Sequence, residues 1–140
     1  SCNSVEMSEK QIVSVYESYG SRKLIHNMLR AYISPSMGEH SIDGIFTSSD
    51  HLAMIVQEEL EEMGKRVPED IQIIGYDGLQ FLNQGKPIVS SIAQPVHEIA
   101  KQAVKSLTEM IENGKAEDVT NIPVMFHEGP TTKPLETISE

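Results

Sequence analysis

Ile42-Asp-Gly-Ile-Phe-Thr47, then Ser48-Ser49-Asp50, then an apolar stripe of Leu52, Ile55, Val56, Leu60 and Met63 stopped by Gly64, then Ile71-Gln-Ile-Ile-Gly-Tyr76: the stretch 42–77 decides the fold. Its two ends are short runs of strand length, rich in isoleucine and bounded by polar residues or glycine. Between them the apolar positions recur with a helical period. Ser48, Ser49 and Asp50 stand where a helix N-cap belongs, and Gly64 suits the position just past a helix C-terminus. Glu58, Glu59, Glu61 and Glu62 read as the solvated outer face. Two parallel strands need a crossover between them, and strand–helix–strand is the unit that supplies it.

The same alternation continues in both directions. Upstream, Ile12-Val-Ser-Val-Tyr16 reads as a strand, and Leu24, Ile25, Met28, Leu29 and Tyr32 form one face of a helix that Pro35 and Gly38 end. Downstream, Asp77-Gly78 opens a loop reaching Gly85, and Pro87 precedes a strand over 88–93. Pro95 suits the first position of a helix carrying Val96, Ile99, Ala100, Ala103, Val104, Leu107 and Ile111, closed by Gly114. Ile122-Pro-Val-Met-Phe126 is a last strand whose Pro123 confines it to an edge or a strand start. The tail from Gly129 reads as irregular. The pattern predicts an α/β fold: a parallel sheet flanked by helices in three layers.

Composition narrows the function. The 140 residues are 39% hydrophobic and 23% charged, as in an ordinary folded domain. The formal charge of −10 repels phosphate, so this piece is a poor candidate for gripping nucleic acid. A single cysteine, Cys2, permits no internal disulfide and suits a reducing compartment. Ser1 to Lys10 has no apolar core of a signal peptide, no run is long enough to span a membrane, and the chain does not open on Met. A cytoplasmic location, no membrane contact and a piece of a longer protein are the expectations.

In open parallel sheets, ligands sit at the carboxyl ends of the strands. Those ends carry Ser48, Ser49 and Asp50, then Asp77, then Gln94. Carboxylates accept from hydroxyls through charge-assisted bonds, and an amide both donates and accepts, which suits a polyhydroxylated ligand. The commoner use of each Asp is structural, as a helix cap or a turn residue. Ser48-Ser49 before a helix could hold a phosphate but lacks a glycine-rich run and a lysine. His26, His40, His51, His97 and His127 show no metal-ligand spacing, and His51 and His97 read as exposed. Met37, Met54, Met63, Met110 and Met125 read as core or interface filler. No nucleophile with a partnering histidine is present, so neither an enzyme nor a cofactor is expected.

Three stretches resemble one family. Asp43-Gly-Ile-Phe-Thr-Ser-Ser-Asp50 with Ala53 is similar to its strand-plus-Asn-Asp element. The run Gly64-Lys-Arg-Val-Pro-Glu-Asp-Ile-Gln-Ile-Ile-Gly-Tyr-Asp77 is similar to its Val-Pro-Glu-Asp and Gly-aromatic-Asp signature. Ser91-Ile-Ala-Gln-Pro95 with Ala100 and Ala103 resembles its Gln-Pro crossover. The family is the lactose-repressor family of bacterial transcription regulators, whose effector domain resembles periplasmic sugar-binding proteins. The likeness runs from about Tyr16 to Thr132, and the wording around Asp77 and Gln94 also resembles sucrose-operon repressors.

The resemblance implies a ligand-binding set of Asp50, Asp77, Gln94, Ser49 and Glu17. Asp50 matches an acid that bonds a sugar hydroxyl, and Ser49 replaces a usual Asn. Asp77 matches a sugar-binding carboxylate, Gln94 a crossover amide, and Glu17 ends the first strand. Where members often carry an Arg before a final Ser-Thr pair, this chain reads Phe126-His-Glu-Gly-Pro-Thr-Thr132. The resemblance assigns 1–132 to the C-terminal part of an effector-binding domain and 133–140 to a tail. Helix 96–113 would pack on a first lobe that, like the DNA-binding headpiece, does not precede Ser1. The implied function is sugar sensing by a repressor that controls a carbohydrate-utilisation operon. Its partners would be a sugar, operator DNA through the headpiece alone, and a second copy in a homodimer, with the side of helix 51–63 as the interface. An exported sugar-binding protein of a transport system is the alternative on the same fold.

Overall fold

In the computed structural model, residues 22–33, 42–78, 87–116 and 119–134 are described. The elements are α1 (Arg22–Ile33), β1 (Gly44–Phe46), α2 (Asp50–Glu62), β2 (Gln72–Asp77), β3 (Ser90–Ala93), α3 (Val96–Asn113) and β4 (Met125–His127). The expected strand Ile12–Tyr16 lies outside the described residues. So does Glu17, as do Met37, His40 and most of the loop after Asp77.

The four strands form one sheet in the order β1-β2-β3-β4. β1, β2 and β3 are parallel, with Phe46 beside Ile74 and Asp77 beside Ala93. The sheet is mixed, because β4 runs antiparallel to β3 and puts Phe126 beside Ile92. β4 lies at the edge, and Pro123 stands two residues before it, where its missing N–H disturbs no ladder.

Side-chain alternation along β2 puts Ile73 and Gly75 on one face and Ile74 and Tyr76 on the other. The first face is the core. Ile71, Ile73 and Val89 meet Ala53, Ile55, Val56 and Leu60 of α2 and Ile25 and Leu29 of α1. Ile73 and Leu60 are fully buried, and each large aliphatic burial of this kind is worth roughly 1.5–3 kcal/mol. Met54 and Met63 pack against this core, whereas Met110 and Met125 are exposed. On the opposite face Phe46 meets Tyr76 edge to face, with ring centroids 6.4 Å apart. The second helical layer expected there is not formed by the described residues. α3 has no buried residue, and Val96, Val104, Leu107, Met110 and Ile111 stay exposed along it.

Helix ends follow local chemistry. Ser49 caps α2, its Oγ accepting from Leu52 N at 3.2 Å. Gly64 and Gly114 follow α2 and α3 with φ of 76° and 72°, the left-handed conformation that needs no Cβ.

One expectation is corrected and one is refined. Glu59 is not part of a solvated face: it is buried, and its carboxylate lies 2.9 Å from His26 Nδ1 and 3.6 Å from Arg22 Nη1. Glu58 pairs with Arg22 beside it. Helix α1 lies over this side of α2 and covers Glu59, whereas Glu58, Glu61 and Glu62 stay exposed as expected. The tail from Gly129 forms no helix or strand, as expected, but it is fastened to the sheet. Thr131 is fully buried beside Ile73 of β2 and Ser90 at the start of β3. Ile73 N donates to Thr131 O at 2.9 Å, Thr131 Oγ1 donates to Ile73 O at 2.7 Å, and Ser90 N donates to Thr131 Oγ1 at 2.9 Å. Ser90 Oγ donates to Gly129 O, accepts from Gly129 N, and lies 2.7 Å from Thr132 Oγ1.

Candidate functional site

Because β1, β2 and β3 are parallel, their carboxyl ends share one edge. There the chain delivers Thr47 to Asp50 after β1, Asp77 at the end of β2, and Gln94 after β3. Asp77 and Gln94 are in direct contact: Gln94 Nε2 donates to Asp77 Oδ1 at 2.8 Å, and both side chains are part-buried. Gln94 N also faces Asp77 O at 3.5 Å.

Asp77 has φ of 106°, a conformation that costs a non-glycine residue of order 1–3 kcal/mol. Gly78 follows at φ 76°, and a Cβ there would sit 2.6 Å from Ala93 Cβ. Such strain persists only where neighbours over-determine it, and it clusters at ligand sites.

Asp50 opens α2 but is not its cap. It is 3% exposed, and its Oδ1 accepts from Ser91 Oγ at 2.5 Å, a charge-assisted distance. Gly75 makes room for it, since a Cβ there would come within 3.1 Å of Asp50 Cα and closer still to its carboxylate. Gly75 thus has a physical role in the motif: it admits a buried acid between α2 and the sheet. Ser91 Oγ also accepts from Gly78 N at 3.1 Å. Two sets of contacts therefore meet at one turn, Asp77 with Gln94 and Asp50 with Ser91 and Gly78.

Ser49 lends an Oγ lone pair to the α2 cap, and Thr47, also buried, donates to Ser49 O at 2.9 Å. Sequence reasoning missed Ser91 and Thr47 as members of this cluster. Thr47 was signalled by its place at the carboxyl end of β1 beside Ser48, whereas Ser91 lies near the start of β3 and joins the cluster only through its register opposite Gly75. His51 and His97 are exposed, as their helix-start positions imply. Among the described residues no cluster of His, Cys, Asp or Glu could hold a metal ion.

The edge therefore offers a carboxylate–amide pair suited to hydroxyls, over a buried polar base. The model of the periplasmic binding protein-like domain family matches residues 4–132, and the chain belongs to that family. The resemblance to lactose-repressor-type regulators holds. The chain is 39% identical over 92 residues to the ribose operon repressor of Bacillus subtilis strain 168, covering 65% of this chain and 28% of that protein. It is 30% identical over 101 residues to the sucrose operon repressor of Pediococcus pentosaceus, covering 71% and 31%. A solved LacI family transcriptional regulator from Enterococcus faecium with bound ribose superposes with a TM-score of 0.57 at 30% identity, covering 84% of this chain and 42% of that one. The chain thus spans less than half the length of each of these relatives.

Proposed function

We propose that the chain is the effector-binding part of a bacterial transcriptional repressor that senses a sugar and controls a carbohydrate-utilisation operon. The Asp77–Gln94 pair at the carboxyl edge of the parallel strands carries this reading. Its acceptors and donors match neighbouring sugar hydroxyls, and the ribose-bound relative and the sugar-operon repressors make a sugar the natural ligand class. On this reading Asp77, Gln94, Asp50, Ser49 and Glu17 form the ligand set. Asp50 supports the site from below the surface, and Ser49 does so from the helix cap. Sugar binding favours one of two arrangements of the whole repressor and so changes its hold on operator DNA. DNA contact belongs to a basic headpiece, because the −10 charge of this chain opposes it. The repressor acts in the cytoplasm as a homodimer and performs no chemistry on the sugar.

The test is Asp77→Asn in the full-length protein. Asn keeps an acceptor for Gln94 and tolerates positive φ, so the fold should hold. The lost charge should weaken sugar response by about 1.5–3 kcal/mol. Operator affinity without sugar should stay unchanged. A sugar titration of the operator complex that matches wild type overturns the assignment.

A further inference from the structure

We propose that Ser91 is a positioning residue: its hydroxyl joins the buried Asp50 carboxylate to the Gly78 amide and thereby sets the aim of the Asp77 carboxylate. This rests on the reading that Asp77 binds the sugar. Ser91 is fully buried in β3 and cannot touch a ligand. Its Oγ proton goes to Asp50 Oδ1 at 2.5 Å, which leaves the oxygen lone pairs for the Gly78 N–H at 3.1 Å. The Gly78 N–H can only donate, so the Ser91 oxygen accepts there and its own proton is free for Asp50 Oδ1. Asp50 thus orients the hydroxyl, and the hydroxyl holds the turn.

The held turn is the strained one. Asp77 at φ 106° and Gly78 at φ 76° leave β2 in a direction the chain would not choose alone. Gln94 grips the Asp77 side chain from outside, and Ser91 grips the next backbone N–H from inside. Two glycines make the inner grip possible. Gly75 admits Asp50 against β2, and Gly78 admits the turn against Ala93. Ala at position 91 would leave the Gly78 N–H without this acceptor and allow the turn to relax away from the ligand.

Ser91→Ala and Ser91→Thr in the full-length protein test this, with the first removing the hydroxyl and the second keeping it. Amide hydrogen exchange of the folded protein should show Gly78 exchanging at least about tenfold faster in Ser91→Ala, with Ile73 in the core unchanged. Calorimetry with ribose and with sucrose should show Ser91→Ala binding at least about tenfold more weakly, the equivalent of about 1.4 kcal/mol, and Ser91→Thr within about threefold of wild type. Unchanged Gly78 exchange in Ser91→Ala overturns the proposal, as does wild-type affinity in that variant. Equal losses in both variants, tracking a fall in Tm, also overturn it, since packing and not the hydroxyl would then be responsible. Should wild type bind neither sugar while Gly78 exchange still quickens in Ser91→Ala, the hold on the turn is upheld and the sugar reading fails.

Discussion

Asp77 combines an unfavourable backbone angle with a side chain in contact with Gln94. These two features separate in a pair of substitutions. Asp77→Gly loses the side-chain bond but adopts φ 106° freely, whereas Asp77→Ala loses the bond and keeps the strain. Urea unfolding should therefore find Asp77→Gly the more stable of the two by about 1 kcal/mol, the low end of such strain. Equal midpoints would mean that the turn relaxes around Ala. Gly75 gives the opposite case. Its new Cβ would meet the backbone of Asp50 within 3.1 Å, so Gly75→Ala should cost about 1–3 kcal/mol by overpacking. An unchanged denaturation midpoint would show that α2 can back away from the sheet.

At the level of elements, α1 is fastened to α2 by charge as well as by Ile25 and Leu29. Glu59 is almost wholly buried, and His26 and Arg22 reach it from the neighbouring helix. His26→Ala leaves that carboxylate with one partner fewer and should lower stability by about 1–2 kcal/mol, since His26 itself is one-third exposed. Thermal melting of the two proteins decides it. The link between α2 and β2 has its own clasp. Arg66 donates to both oxygens of Asp70 through its guanidinium and to one through its backbone N–H. These bonds hold the Asp70 carboxyl well below the usual carboxylate range. A lowered folded-state pKa gives stability that is present above the unfolded value and lost as pH falls through the folded one. Acid titration of stability should therefore fall more steeply in wild type than in Asp70→Asn, beginning below about pH 4. Parallel curves would mean that the clasp adds nothing. These elements also mark what the sequence could tell. The alternation of Ile-rich runs with a 3.6-residue stripe made β1, α2 and β2 legible to within two residues. The edge placement of β4 was legible in Pro123. Glu59 was not, because a helical stripe ranks positions by hydropathy and cannot foresee a second helix bringing a histidine and an arginine. Thr131 was not, because a Thr- and Pro-rich tail has no period, and its burial depends on a gap beside β2 that only the assembled sheet has. At the site, strand ends pointed to Asp77 and Gln94, but the network under them was hidden. Gly75 and Ser91 matter through distances across three elements.

Taken whole, the described molecule is a well-packed sheet and helix pair from which α3 stands away. Val96, Val104, Leu107, Met110 and Ile111 leave apolar surface in water along an 18-residue helix. Patches of this kind find a partner, so the isolated 140-residue chain should self-associate through α3, with a twofold pairing as the simplest closed form. Sedimentation should show a species larger than the monomer, and Leu107→Glu should dissociate it. A monomer with α3 still exposed contradicts this.

Thr131 sits 58 residues beyond Ile73 in sequence and 41 beyond Ser90, yet it satisfies a buried backbone group of each. During synthesis these groups must wait. A ribosome working at roughly 5–20 residues per second presents β2 and β3 several seconds before the residue that completes them. Until then the interior of the sheet has an open seam that no earlier part of the described chain fills. A message truncated after Glu128 should accordingly yield a polypeptide that has nearly every core side chain and still fails to close. The cell's proteases would clear it, while the full-length product persists.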